Sequence, residues 1–386
     1  MLLKQRTMCV LTAVVMVLNF TVTASAEEAS MDEVLELMPA RAIVAMECST
    51  GQIIYEKNAD EPLEISHLAK LMLLLLAAEK IKEGSLSMDD MVTVSAKANG
   101  MPDPQVWLEK DERISVEELV KALTVGNAND AAVALAEHMY GTTDAALHEF
   151  NCKAKLLDMQ NATFSDICGI DESTVASVAD ISKLSAEIVK YDMLTPYFCS
   201  WLEYIRDGKA ELVNRNRLVR NYKGITGMKA CGSGTAGECG VFTAEKNGMK
   251  IAVTVLGCDS RDNLEDIAKK LLNSCFDSYS VYIPEIDENM TEDIRVRGGE
   301  KNKVSVTFGD IDPVLIEKGS SADFDVELTR EEELEAPVEK GERCGELVCR
   351  DGNDIVFSAD LLTGESVKEL SFAFCLRKML LYFLKM

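Results

Sequence analysis

Lys70 stands three residues after His67 and four after Ser66, the spacings at which side chains share one face of a helix. A lysine so placed can take a proton from a neighbouring hydroxyl, which is a weak nucleophile until something activates it. His67, one of three histidines in the chain, offers an imidazole able to serve as base or transient nucleophile. Cys231 is a further candidate, because a thiolate beside Lys229 would have a lowered pKa and real nucleophilicity. Each has a plainer reading, and the plainer reading is the expectation. Serine just ahead of a helical run commonly caps free amides. A small thiol is commonly a buried apolar group. An imidazole at a helix start lining a narrow cleft plugs or reshapes the space that a hydroxyl would leave open. His138 and His148 read as ordinary helix residues and receive no role.

Elements able to hold these groups are visible along the chain. ARAIVAMECSTGQIIYEKNA, from Ala40 to Ala59, reads as two short strands around Thr50-Gly51. After Pro62 the run HLAKLMLLLLAAEKIKEG is helix-forming and nearly apolar through Ala78, the pattern of a helix buried on most sides. Ser115-Val116-Glu117-Glu118 is a capping box opening a helix through Leu123, and Asn129 to Tyr140 is a second helix closed by Gly141. Glu238–Ala244 and Met249–Leu256 are strands joined by Asn247-Gly248, a dipeptide that favours the type I′ hairpin turn. An amphipathic helix is expected from Asn263 to Cys275. Beyond about Ser280 the text turns to short β-type segments such as VSVTF, DFDVEL and GELVC, and the change of pattern falls near residue 283, beside Pro284.

The two ends suggest location. Lys4 and Arg6, the apolar run Met8 to Phe20 and Ala24-Ser25-Ala26 read as a cleavable export signal, with the mature chain starting near Glu27. That run is shorter than the ~20 residues a membrane-spanning helix needs. The final segment, SFAFCLRKMLLYFLKM, puts Ser371, Cys375, Lys378, Tyr382 and Lys385 on one helical stripe and Phe372, Leu376, Met379, Leu380 and Phe383 on the rest. A basic amphipathic helix of this kind lies in the membrane interface, and Arg377-Lys378 in its middle argues against a span. The net charge of −25, from 40 basic and 65 acidic residues, repels polyanions and speaks against nucleic acid as a partner. The 12 cysteines are scattered without Cys-x-x-Cys spacing, only Cys344 and Cys349 lying close together, so no metal site or cofactor is expected and most should be buried free thiols.

Several segments in order, ARAIVAMECSTGQIIYEKNADEPLEISHLAKLMLLLLA, ISVEELVKALTVGNANDAAVALAEH, LVNRNRLVRNYKGITGMKA and NGMKIAVTVLG, resemble D-alanyl-D-alanine carboxypeptidases, the low-molecular-weight penicillin-binding proteins. The resemblance runs from about residue 38 to the C terminus. It implies an α+β fold of the serine β-lactamase/transpeptidase type, a helical cluster against an antiparallel sheet, then a small β-rich domain and an amphipathic helix. The division implied is a signal at 1–26, a carboxypeptidase-like domain at 27–282, a β-rich domain at 283–366 and a membrane-surface helix at 367–386.

That family lines one cleft with S-x-x-K, S-x-N and K-[ST]-G. The first serine attacks the carbonyl between two D-alanines, and the lysine one turn later takes its proton. The second motif relays protons and holds the peptide. The lysine and hydroxyl of the third meet the terminal carboxylate, and its glycine lets the peptide approach the strand. Here the matching positions read His67-Leu68-Ala69-Lys70, Asn127-Ala128-Asn129 and Lys229-Ala230-Cys231. Every hydroxyl is gone, while Lys70, Asn129 and Lys229 remain; Cys231, standing where the strand needs no side chain, is expected to obstruct substrate. The implied protein is exported, sits on the outer face of the cytoplasmic membrane, and binds peptidoglycan stem peptides or partners with impaired catalysis. Two other readings stay open: an active hydrolase using Ser66, His67 or Cys231, and a purely structural first domain with the β-rich part as an interaction module.

Overall fold

Strand-forming text near both ends of the first 260 residues meets in one antiparallel sheet of β1 (Ala42–Glu47), β2 (Ile53–Lys57), β3 (Ile225–Ser233), β4 (Gly237–Lys246) and β5 (Met249–Cys258), in the order β2-β1-β5-β4-β3. The computed structural model describes residues 31–282, 288–309, 313–319, 325–351 and 354–384. The export signal and the position of the change near 283 lie outside these residues. Met31–Glu36 is a short helix in a unit that ends at Leu37, and the following concerns residues from Met38 onward.

All six residues of β1 are buried, so the strand is covered on both faces and shows no polar alternation. The β1–β2 turn is held by Glu47, whose carboxylate accepts from the backbone N–H of Ser49 and Thr50 at 2.9 and 2.8 Å. Between β4 and β5, Asn247 and Gly248 have φ of 51° and 80°, the two left-handed residues that a type I′ turn requires. β3 is an edge strand, and an edge leaves backbone groups open to a peptide laid alongside.

The helical cluster centres on α1 (Lys70–Lys82), entered through a 3₁₀ turn at Ser66–Ala69. Every residue from Lys70 to Ala78 is buried, as the unbroken apolar run predicts. Around it lie α2 (Val116–Thr124), α3 (Asn129–Tyr140) and α4 (Val178–Ile188). Ser115 and Glu118 form the expected capping box on α2. Gly141, at φ 81°, ends α3. α5 (Arg261–Ser278) packs on β5 and begins two residues before the expected start, because Ser260 caps it by accepting from Asn263 N–H. The strand after it, Tyr279–Tyr282, pairs with Val314–Glu317. Later strands include Asp325–Arg330, Arg343–Asp351 and Asp354–Thr363, packed over small clusters around Val304, Leu347 and Leu361. α6 (Phe372–Phe383) follows, with Phe372, Met379 and Phe383 exposed. Among the described residues no helix is long and apolar enough to cross a membrane.

Candidate active-site cleft

Three elements converge where the spacing of Lys70 suggested. The 3₁₀ turn brings His67, the loop between α2 and α3 brings Asn127, and β3 brings Lys229 to Gly232. His67, Asn127 and Gly232 line a cleft of about 640 Å³, joined by Trp201, Asn214, Arg215, Arg217 and Arg261.

Lys70 is fully buried, and its Nζ donates to the Asn127 carbonyl oxygen at 2.6 Å and reaches the Asn127 Oδ1 at 3.5 Å. Asn127 adopts φ 56°, a region that asparagine tolerates better than most residues, and this turns its carbonyl to the lysine. Burial lowers the Lys70 pKa from the ordinary 10.5 to about 8. Asn129 is buried, and its Nδ2 donates to Pro102 O and Asp103 O at 2.9 and 3.1 Å, fixing the loop before α2, while its Oδ1 has no hydrogen-bond partner among the described residues. Lys229 was expected to line the cleft, but it is 2% exposed and its Nζ donates to Leu123 O at 2.6 Å. Burial first, and then the charge of Lys70, lower its pKa to about 7.

The three candidate nucleophiles fare as follows. Ser66 does not cap the turn: Ile65 holds the cap position, no side chain caps it, and Ser66 sits at φ 49°. The Ser66 Oγ is buried with no hydrogen-bond partner among the described residues, so it bonds neither Lys70 nor His67. The Ser66 carbonyl packs closely on Gly169, where an added Cβ would lie 1.8 Å from Ser66 O. His67 is half-buried, with Nδ1 at 2.9 Å from Cys168 O. Burial, and then the charge of Lys70, lower its pKa to about 4, so the ring is neutral near pH 7. A neutral ring facing a carbonyl through Nδ1 carries its proton there, leaving Nε2 as the acceptor. Cys231 neither becomes a thiolate nor lines the cleft. Burial outweighs the nearby lysines and pushes its pKa up to about 11. Its register partner on β4 is Cys239, equally buried, while Gly232 takes the cleft wall one residue later. Ala230 is buried beside it. None of the eleven described cysteines is disulfide-bonded.

Sequence reasoning did not single out the arginines. Asn214 donates to Phe198 O and Ser200 O and accepts from Asn216 N–H, while the Asn216 Oδ1 accepts from Leu218 N–H. These two buried asparagines lock the turn that presents Arg215 and Arg217, and the Asn-Arg-Asn text was the available signal. Arg215 pairs with Glu238 at 2.7 Å, and Arg217 pairs with Glu265 at 2.7 Å and also with Asp262. Arg261 donates to Arg215 O. The Nε atoms of Arg215 and Arg261 are buried without a hydrogen-bond partner among the described residues. Burial first, and then the charges of Arg215 and Arg217, lower the pKa of Arg261, while Glu265 and Glu238 oppose the shift.

A helical cluster packed on an antiparallel sheet, with a lysine-bearing helix start facing the sheet edge and a β-rich region beyond, defines the low-molecular-weight penicillin-binding-protein class. Residues 26–260 match the model of the D-alanyl-D-alanine carboxypeptidase family, and 285–369 match that of the penicillin-binding protein 5 C-terminal domain. The chain belongs to the D-alanyl-D-alanine carboxypeptidase family, whose members are serine-type hydrolases acting on peptidoglycan stem peptides. The D-alanyl-D-alanine carboxypeptidase DacF of Bacillus subtilis is 28% identical over 370 residues, covering 94% of this chain and 95% of its own. DacC of Escherichia coli is 27% identical over 361 residues, covering 92% and 90%. The crystal structure of penicillin binding protein 5 from Haemophilus influenzae superposes with a TM-score of 0.75 at 26% identity, covering 86% of this chain and 98% of that one.

Proposed function

We propose that this protein is a D-alanyl-D-alanine carboxypeptidase homologue that binds peptidoglycan stem peptides without hydrolysing them. The impairment rests on reading His67-Leu68-Ala69-Lys70 as the family's first motif, and the observation that supports it is the adjacent Ser66 hydroxyl, buried and bonded to neither Lys70 nor His67. A lysine base without a hydroxyl in reach has nothing to activate. Asn127, Ala230 and Cys231 likewise lack the hydroxyls that would relay protons and hold the carboxylate. Binding is supported by the arginine wall: Arg215, Arg217 and Arg261 line the cleft together with His67 and Asn127, and guanidinium groups suit a terminal carboxylate. The protein acts outside the cytoplasm, delivered by the signal at 1–26, and rests on the membrane surface through α6, whose exposed Phe372, Met379 and Leu380 suit the acyl boundary.

The test is calorimetric titration with a pentapeptide ending in two D-alanines. Arg215→Ala should weaken binding by about tenfold, the loss typical of a charge-assisted hydrogen bond. Amidating the peptide's carboxyl should produce a loss of the same size. Binding indifferent to both changes would remove the cleft from the account and favour a structural first domain.

A further inference from the structure

Trp107 is 71% exposed and has φ 52°, a backbone region that a bulky aromatic residue seldom adopts. The loop holds it there from both sides. Val106 and Leu108 are buried, and their N–H groups donate to the Asp130 carboxylate at 3.1 and 2.9 Å, one residue beyond Asn129. Arg206 donates through Nη1 to Val106 O and through Nη2 to Trp107 O at 2.8 and 2.9 Å, and is itself fixed by Glu112 at 2.7 Å. The neighbours are thus anchored inward while the indole is held out in water. Strain of this kind, kept by surrounding bonds, gathers at ligand sites.

The ring lines a groove of about 260 Å³ together with Gln105, Arg206, Glu211 and Val213. Gly126 and Val213 line both this groove and the cleft of His67 and Asn127, so the two adjoin. The other tryptophan of the chain, Trp201, lies in the cleft itself.

We propose that the groove takes a pyranose sugar, the N-acetylated hexosamine that carries the stem peptide in the wall polymer. The inference rests on the reading of the cleft as a stem-peptide site and names the part of the ligand beyond the peptide. An extended pentapeptide covers at most ~17 Å. A sugar at its far end extends the ligand beyond the peptide and meets a surface next to the cleft. A pyranose presents an apolar C–H face and a polar rim. The groove answers with an indole face and, at its edge, the amide of Gln105 and the carboxylate of Glu211. An aliphatic peptide side chain would use the ring but not the Gln105 amide, nor the Glu211 oxygen left beside the one that accepts from the Tyr204 hydroxyl at 3.3 Å.

Three ligands separate the possibilities by calorimetry: the bare pentapeptide, the same peptide on its N-acetylglucosaminyl–N-acetylmuramic acid disaccharide, and the disaccharide alone. The wild-type protein should bind the disaccharide-linked peptide about tenfold more tightly than the bare one, the size expected of a tryptophan anchor. Trp107→Asn removes the ring while suiting the left-handed backbone. It should erase the tenfold increment, and Trp107→Phe should keep most of it. Equal wild-type affinities for the two peptides would overturn the proposal, as would a Trp107→Asn loss shared equally by both. If the bare peptide does not bind but the two sugar-bearing ligands do, and lose affinity in Trp107→Asn, the groove stands and the peptide reading of the cleft falls. If no ligand binds, both fall.

Discussion

If the three motifs are those proposed, placing the family's hydroxyls at their positions should create an enzyme. The variant carrying His67→Ser, Asn127→Ser, Ala230→Thr and Cys231→Gly is expected to form a covalent adduct with labelled penicillin on the order of 10³-fold faster than the wild-type chain, because nucleophile and proton relay act as a unit. The base is already installed. Lys70 lies one turn from position 67 and burial holds its pKa at about 8, so it is part neutral at mildly alkaline pH. The sign of the pH dependence follows. Lys70 must be neutral to accept a proton, and its pKa is lowered, so adduct formation should rise with pH and level off above about 8. The single substitution His67→Ser should recover only a small part of the rate, since the second and third positions would still lack their hydroxyls. A gel-based adduct assay over pH 6 to 10 reads all of this. Full recovery by the single change would mean that only one substitution matters.

Asp130→Ala should cost about 3 kcal/mol or more, measured by urea denaturation. The carboxylate is fully buried and accepts from Val106, Leu108 and Ala131 N–H at 3.1, 2.9 and 2.9 Å. Removing it strands three donors in a buried site, at about 1–3 kcal/mol for each one that water cannot reach. Asp130→Asn keeps one acceptor oxygen and should cost roughly half as much. A loss below about 1 kcal/mol would show that water replaces the carboxylate. The loop of Trp107 should loosen first, detectable as faster amide exchange at Val106 and Leu108 than at α1.

The scaffold was legible because local chemistry and tertiary context agree along most of it. Leu71 to Ala78 is a run that no surface helix would carry, and it fills the core. Ser115 with Glu118, and Asn247 with Gly248, specify their turns without help from distant residues. The site was legible as positions and less so as orientations. Ser66 looks like a cap by its place before a helix, yet it takes φ 49° with its Oγ buried, and its carbonyl packs on Gly169, over a hundred residues away. Lys229 lies on an edge strand, where half the side chains would ordinarily meet solvent, but the 3₁₀ turn and α2 cover it. Arg215 and Arg261 come from distant segments and read separately as solvated charges; only folding brings the Arg261 guanidinium against the Arg215 carbonyl at the cleft wall. The β-rich strands announced themselves by composition, while the sheets they join depended on pairings such as Asp325–Arg330 with Arg343–Asp351 that no local pattern encodes.

The central claim, binding without turnover, is tested most directly on the wild-type chain. Purified protein is incubated with a fluorescent β-lactam and, separately, with the pentapeptide ending in two D-alanines, beside an active member of the family. The active relative should label and release D-alanine; this chain should bind the peptide, remain unlabelled and release none. A covalent adduct, or D-alanine release lost on changing Ser66 or His67 to alanine, would show a working nucleophile and contradict it.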